Sequence, residues 1–454
     1  MRCTVKRVLR IVLAAAFVSA PWAGTFQAAA ITPPTVDDSR LPNPGSPVPP
    51  RRTEQTEQCV AANGVSVEND VGDQLDDLDM QSVWRLSRGA GQTVAVIDTG
   101  VSRHRLLPHL VPGGDFVSSG DGTEDCDGHG TIVAGIVGAA PDPDTAHRFS
   151  GIAPDATIIG IRQSSNKFRA ADDPGGSGFG DVDTLAGAVR TAADMGATVI
   201  NVSTVACVAV DAKLDDRALG AALAYAVEVK NVVVVAAAGN VGAPGQCPHQ
   251  NSIRPGRPDW NDVKAVVSPA WYDDYVLTVG SIAPNGRPSE FSLAGPWVDV
   301  AAPGERVVSL DRDGEGLTAA LPTATGEKPL AGTSYAAPVV AGVVAILRSL
   351  SPELTARQVM RRIEETARHP AAGWDPVVGH GVVDALGAVT GGSPPVTDPD
   401  RAPVVSVPAP ALHDGRSADI AVRGAAICLG VVVAVIATTL SGKRLRGFQA
   451  IPRD

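Results

Sequence analysis

Four polar side chains stand where attack on a carbonyl group would need them. Asp98 ends the apolar run Val94-Ala95-Val96-Ile97 and is followed by Thr99-Gly100. A carboxylate at the C-terminal end of a buried parallel strand points into the crevice where such sheets bind ligands. His129 lies in Asp127-Gly128-His129-Gly130-Thr131, ahead of small and apolar residues at helical spacing. It therefore opens a helix, with its imidazole within reach of both a carboxylate and a nucleophile. Ser334, in Gly332-Thr333-Ser334-Tyr335-Ala336-Ala337-Pro338, supplies a hydroxyl flanked by small residues, and a helix follows to about Leu350. The dipole and free N–H groups at that helix start would stabilise the oxyanion formed when Ser334 attacks. Asn240, after Ala236-Ala237-Ala238-Gly239, can donate its side-chain amide to the same oxyanion. Taken singly, a structural histidine, an N-capping serine and a turn asparagine are the blander readings. Together the four point to nucleophilic catalysis. An aspartic-protease reading of Asp98-Thr99-Gly100 fails, because that chemistry needs two such carboxylates and no second Asp-Thr-Gly or Asp-Ser-Gly occurs.

Positioning these groups requires a sheet. Short β-branched runs at residues 93–97, 156–161, 198–202, 232–236 and 276–279 alternate with alanine-rich helical stretches. Near-continuous apolar strands separated by helices predict an α/β fold, a doubly wound parallel sheet covered on both faces. The chain has 454 residues, 44% hydrophobic and 19% charged, with a net charge of −11. An acidic chain without a basic domain excludes a nucleic-acid binder. Two stretches, 163–183 and 243–263, read as loops inserted near the cleft, free to gate substrate entry, dock a partner or simply stay solvated.

The ends carry addresses. Residues 1–30 hold Arg2, Lys6, Arg7 and Arg10, an apolar run from Ile11 and the small-residue stretch Ala28-Ala29-Ala30, which predicts a secretory signal peptide. An N-terminal extension, 31–82, is rich in proline from Pro33 to Pro50 and too polar to build a core. After a catalytic domain at 83–390, a proline-rich linker at 391–422 leads to a predicted transmembrane helix at 423–442. Its apolar stretch, Gly424 to Leu440, would span roughly 26 Å at 1.5 Å per residue. Lys443, Arg444 and Arg446 place the tail, 443–454, in the cytoplasm, so the catalytic domain lies on the far side of the cell membrane. Cys3 and Cys428 fall in the two apolar ends. Cys59, Cys126, Cys207 and Cys247 remain, an even set that predicts two disulfides with three possible connectivities.

The blocks around Asp98, His129, Asn240 and Ser334, in that order, and Val298-Asp299-Val300-Ala301-Ala302-Pro303-Gly304 resemble those of subtilisin-like serine proteases, over about Trp84 to Val389. The resemblance implies a subtilisin-like fold, with Ser334 as nucleophile, His129 as general base and then acid, and Asp98 as its orienting partner. It also implies an oxyanion hole from Asn240 and the Ser334 N–H, and a strand ending near Ser203 that pairs with an extended protein or peptide substrate. No metal or cofactor is required. Ile132 and Val339 replace histidines common in the family. Ser203-Thr204-Val205-Ala206-Cys207 stands where a Leu-Gly-Gly stretch usually lines the cleft, so side-chain preference does not transfer. Signal, proline-rich extension, extra cysteines, linker and anchor together resemble the mycosins, membrane-anchored proteases of type VII secretion systems. That implies the type VII secretion membrane complex as partner, and either processing of its exported proteins or a structural role in stabilising that complex. On this fold, Cys207 and Cys247 each follow a strand and project from one edge, so they pair, leaving Cys59 to Cys126.

Overall fold

The computed structural model describes residues 31–61, 75, 78–142, 149–243, 245–323 and 326–391. The predicted signal peptide, membrane helix and tail, and the linker beyond Gly391, lie outside the described residues.

Valine, isoleucine and alanine runs form seven strands: Thr93–Asp98, Leu110–Asp115, Thr157–Arg162, Val199–Val202, Val233–Ala237, Leu277–Ile282 and Val300–Pro303. Every neighbouring pair is parallel, in the spatial order 300–303, 277–282, 233–237, 199–202, 93–98, 157–162, 110–115. Successive side chains of a strand face opposite sides. All residues of Val233–Ala237 and of Leu277–Ile282 are buried, so helices cover both faces, as a doubly wound sheet requires. One group of helices pairs His129–Gly138 with Thr333–Leu350, and another pairs Val182–Asp194 with Arg217–Ala224.

Five of the strands lie within a residue or so of their predicted starts. Leu110–Asp115 and Val300–Pro303 are strands that the sequence pattern does not predict. The first contains Pro112, Gly113 and Gly114 and survives because it is an edge strand, where a missing N–H costs no ladder bond. Thr333–Leu350 is long and apolar enough to cross a membrane by composition alone, yet it is buried inside the domain. It is the central core helix.

Both disulfides form as expected, Cys59–Cys126 and Cys207–Cys247. Cys207 does not simply follow the strand ending at Val202. It sits within Ala206–Ala209, which pairs antiparallel with Ala265–Ser268 in a separate two-stranded sheet. The stretch 163–183 is likewise more than loop, since Phe168–Ala170 pairs antiparallel with Thr53–Gln55 of the extension. Two ion pairs accompany that pairing: Glu54 meets Arg169, its partner in the register, at 2.7 Å, and Glu57 meets Lys167 at 2.6 Å.

Candidate active site

The strand Thr93–Asp98 delivers the Asp98 carboxylate, fully buried, at its C-terminal end. Its Oδ1 accepts a hydrogen bond from the Thr99 N–H at 2.8 Å and lies 2.7 Å from His129 Nδ1. Gly130 makes that approach possible: a methyl there would overlap the Gly100 carbonyl and press on Asp98 Cβ at 3.0 Å. The other ring nitrogen, His129 Nε2, is 3.0 Å from Ser334 Oγ. Three groups from distant segments thus form one hydrogen-bonded chain. Burial of the imidazole opposes its protonation, but the charge and hydrogen bond of Asp98, joined by the charges of Asp125 and Asp127, outweigh it and hold the ring's pKa above its usual value. An imidazolium formed by taking the Ser334 proton is stabilised by the same fields.

Ser334 occupies the first turn of the core helix. Four residues on, Pro338 has no N–H, so the Ser334 carbonyl loses its ordinary helical donor. Ser203 supplies one instead: its Oγ donates to the Ser334 carbonyl at 2.8 Å, and Asn201 Nδ2 donates to that Oγ at 2.9 Å. The segment after Val202 therefore both lines the cleft and holds the hydroxyl-bearing residue.

Asn240 Oδ1 accepts from the Thr333 N–H at 3.0 Å, which orients the amide. A Cβ built on Gly332 would lie 3.1 Å from Ser334 Oγ, 3.7 Å from Asn240 Nδ2 and 3.8 Å from the Ser334 nitrogen. Hydroxyl, side-chain amide and backbone N–H thus converge on one small space that only the absence of a side chain leaves open. A carbonyl attacked by Ser334 would place its developing negative charge beside two donors.

Asp98, His129, Asn240 and Ser334 are all brought together. What the sequence pattern does not reveal is a second buried carboxylate, Asp125, which ties the loop before His129 to Thr99 and Thr131. Its only sequence signal is a position four before the histidine in an acidic loop. Asp127, equally unmarked, accepts from Ser165 Oγ at 2.5 Å and the Asn166 N–H at 2.8 Å, fastening the cleft wall to the same loop.

The site opens into a cleft of about 640 Å³ whose walls include Asn166, Lys167 and Val182 from the first inserted stretch, Gln246 from the second, Ser203 to Cys207, and Leu321. Val60 of the extension lines it too. That residue is held by its N–H to the Cys126 carbonyl at 2.9 Å, by Arg312 Nη1 donating to its carbonyl at 2.5 Å, and by the adjoining disulfide.

The chain is similar to known proteins in sequence and fold. Residues 89–381 match the model described as the subtilase family. Mycosin-4 of Mycobacterium tuberculosis is 55% identical over 454 residues, covering 98% of this chain and 98% of the relative. Among solved structures, a protease of the ESX-3 type VII secretion system is 44% identical with a TM-score of 0.73, covering 79% of this chain and 99% of that one. A chain of the intact ESX-5 inner membrane complex is 40% identical with a TM-score of 0.73, covering 90% of this chain and 100% of its own. A match of this extent, on a parallel sheet of this order, makes the chain a member of the subtilase family and, within it, of the mycosins, the subtilisin-like serine proteases of type VII secretion.

Proposed function

We propose that this serine protease cleaves extended segments of proteins exported by a type VII secretion system, from the outer side of the cell membrane, through Ser334 as nucleophile. His129 takes the Ser334 proton and returns it to the leaving amine, while Asp98 orients the ring and stabilises its cation. Asn240 and the Ser334 N–H stabilise the tetrahedral oxyanion. The observation that carries this reading is the continuous chain from Asp98 Oδ1 through His129 to Ser334 Oγ, at 2.7 and 3.0 Å, at the floor of a cleft. Residues 1–30 direct export and 423–442 anchor the chain. A fluorophosphonate probe should label the wild type at Ser334 and leave Ser334→Ala unlabelled, and persistent labelling of that variant would refute the assignment.

The likeness to a chain of the ESX-5 inner membrane complex, which covers 90% of this chain, favours a second, compatible role as a component that stabilises the secretion complex. The two separate in vivo. If Ser334→Ala supports export and deletion does not, the structural role stands apart from proteolysis. Exported proteins altered in both strains would tie export to the active serine.

A further inference from the structure

We propose that Asp125 is a positioning residue for His129, clamping the strand end that carries Asp98 to the helix start that carries the imidazole. The inference rests on the triad reading above. Asp125 is 2% exposed, and its two oxygens accept five hydrogen bonds. Oδ1 takes the Thr99 hydroxyl at 2.9 Å and the N–H groups of Asp127 at 3.2 Å and Gly128 at 2.7 Å, and Oδ2 takes the Thr131 N–H at 2.8 Å and its hydroxyl at 2.7 Å.

Two of these partners carry the clamp further. Thr99 Oγ1 accepts from the Gly130 N–H at 3.0 Å, and Thr131 Oγ1 accepts from the Ser102 N–H at 2.9 Å. Residues 99 and 102, beyond the strand, are thereby stitched to residues 128, 130 and 131, around the histidine. The helix His129–Gly138 has no side-chain cap from its own N-cap residue, Gly128. Asp125 serves in its place, a negative charge against the positive end of that helix. Burial pushes this carboxyl up to about 6, although the Thr131 and Thr99 donors pull it down, so the molecule bears a desolvation cost to keep a carboxylate here.

The groups facing His129 are Asp98, Asp125 and Asp127, with the Tyr335 ring 5.3 Å away. Removing the Asp125 charge should therefore both loosen the ring and lower its pKa. Asp125→Asn can satisfy the donors on one side and leaves its NH2 facing those on the other. A displacement near 1 Å costs on the order of 10²-fold in rate.

The test is the rate constant of fluorophosphonate labelling against pH, on the full chain in membranes. Asp125→Asn should label about 10²-fold more slowly than wild type, with its acid limb moved to lower pH. A slower rate with an unmoved limb would mean a merely structural residue and overturn the proposal, as would a wild-type rate. If Asp125→Asn does not fold, Thr131→Val decides: it keeps the charge and deletes two clamp bonds, those to Asp125 Oδ2 and from the Ser102 N–H, and a severalfold slower rate with the acid limb in place supports the inference where an unchanged rate overturns it. Labelling that persists in Ser334→Ala overturns the triad reading itself, a result distinct from failure at Asp125 alone.

Discussion

Substituting Gly332 by alanine should abolish most of the activity while leaving the fold intact. The backbone permits the change, since φ at Gly332 is 165°, extended geometry open to any residue. The added methyl would stand 3.1 Å from Ser334 Oγ and 3.7 Å from Asn240 Nδ2, the first slightly tight and the second ordinary contact. Alanine should therefore cost little native-state energy, and it would lower the unfolded chain's entropy by an amount worth about 0.4–1 kcal/mol. The same methyl occupies the space between nucleophile and donors, so the oxyanion can no longer reach them. Losing one such donor costs roughly 3–4 kcal/mol, or 10²–10³ in rate, and excluding the oxyanion from both should cost at least that. Hydrolysis of a chromogenic peptide, with thermal unfolding measured in parallel, separates the two effects. Asn240→Ala should fall by a similar factor, and the double variant should fall by less than the product, because the methyl has already made the amide unreachable. Near-wild-type kcat/KM in a well-folded Gly332→Ala protein would show that the oxyanion forms elsewhere.

Other consequences are measurable in the same protein. His129 must be neutral to accept the Ser334 proton, and its pKa is held above the ordinary 6.5, so the acid limb of kcat/KM should lie above 6.5; a midpoint at or below it contradicts the electrostatics. Asp273, Asp299 and Glu364 face one cavity, and burial raises all three, Asp273 to about 7, with repulsion added by Asp274 and Glu364 at Asp273, by Asp273 and Glu364 at Asp299, and by Glu365 at Glu364. Groups whose folded pKa is raised contribute stability that is full below the unfolded value and lost as pH climbs through the folded one. Tm should therefore rise as pH is lowered from 8 to about 5, and Asp273→Asn should flatten that slope. Ser203→Ala leaves the Ser334 carbonyl without a donor, which should cost about 1–3 kcal/mol and slow acylation; denaturant midpoints and kcat test both. Breaking Cys59–Cys126, 67 residues apart, should lower stability by roughly 4 kcal/mol in the chain-entropy model, read as the drop in unfolding free energy of Cys59→Ser under non-reducing conditions.

Local chemistry makes much of this site legible from the order of residues alone. Asp98 after four apolar residues, His129 before an apolar helical stretch, and Ser334 among small residues each announce a strand end or helix start, because each is a transition in hydrophobic period. The strands without a clear signal lack that contrast: Leu110–Asp115 carries proline and two glycines tolerable only at a sheet edge, and Val300–Pro303 offers one β-branched residue. Less legible still are relations between segments that no local pattern encodes. Pro338 reads locally as a blemish in a helix; only with Ser203 brought beside it does its missing N–H become the reason a serine 131 residues away holds the Ser334 carbonyl. Asp125 reads as one acid in an acidic loop until Thr99 and Thr131 converge on it. Arg312 is an ordinary surface-type residue by sequence, yet it donates both to the Val60 carbonyl of the extension and to the Asp125 carbonyl. Sequence thus names the atoms that would react. The groups that hold them at 2.7 and 3.0 Å come from the strand ends at Thr99 and Asn201, the loop before His129 and Ser203, and their roles exist only once the fold has brought those pieces together.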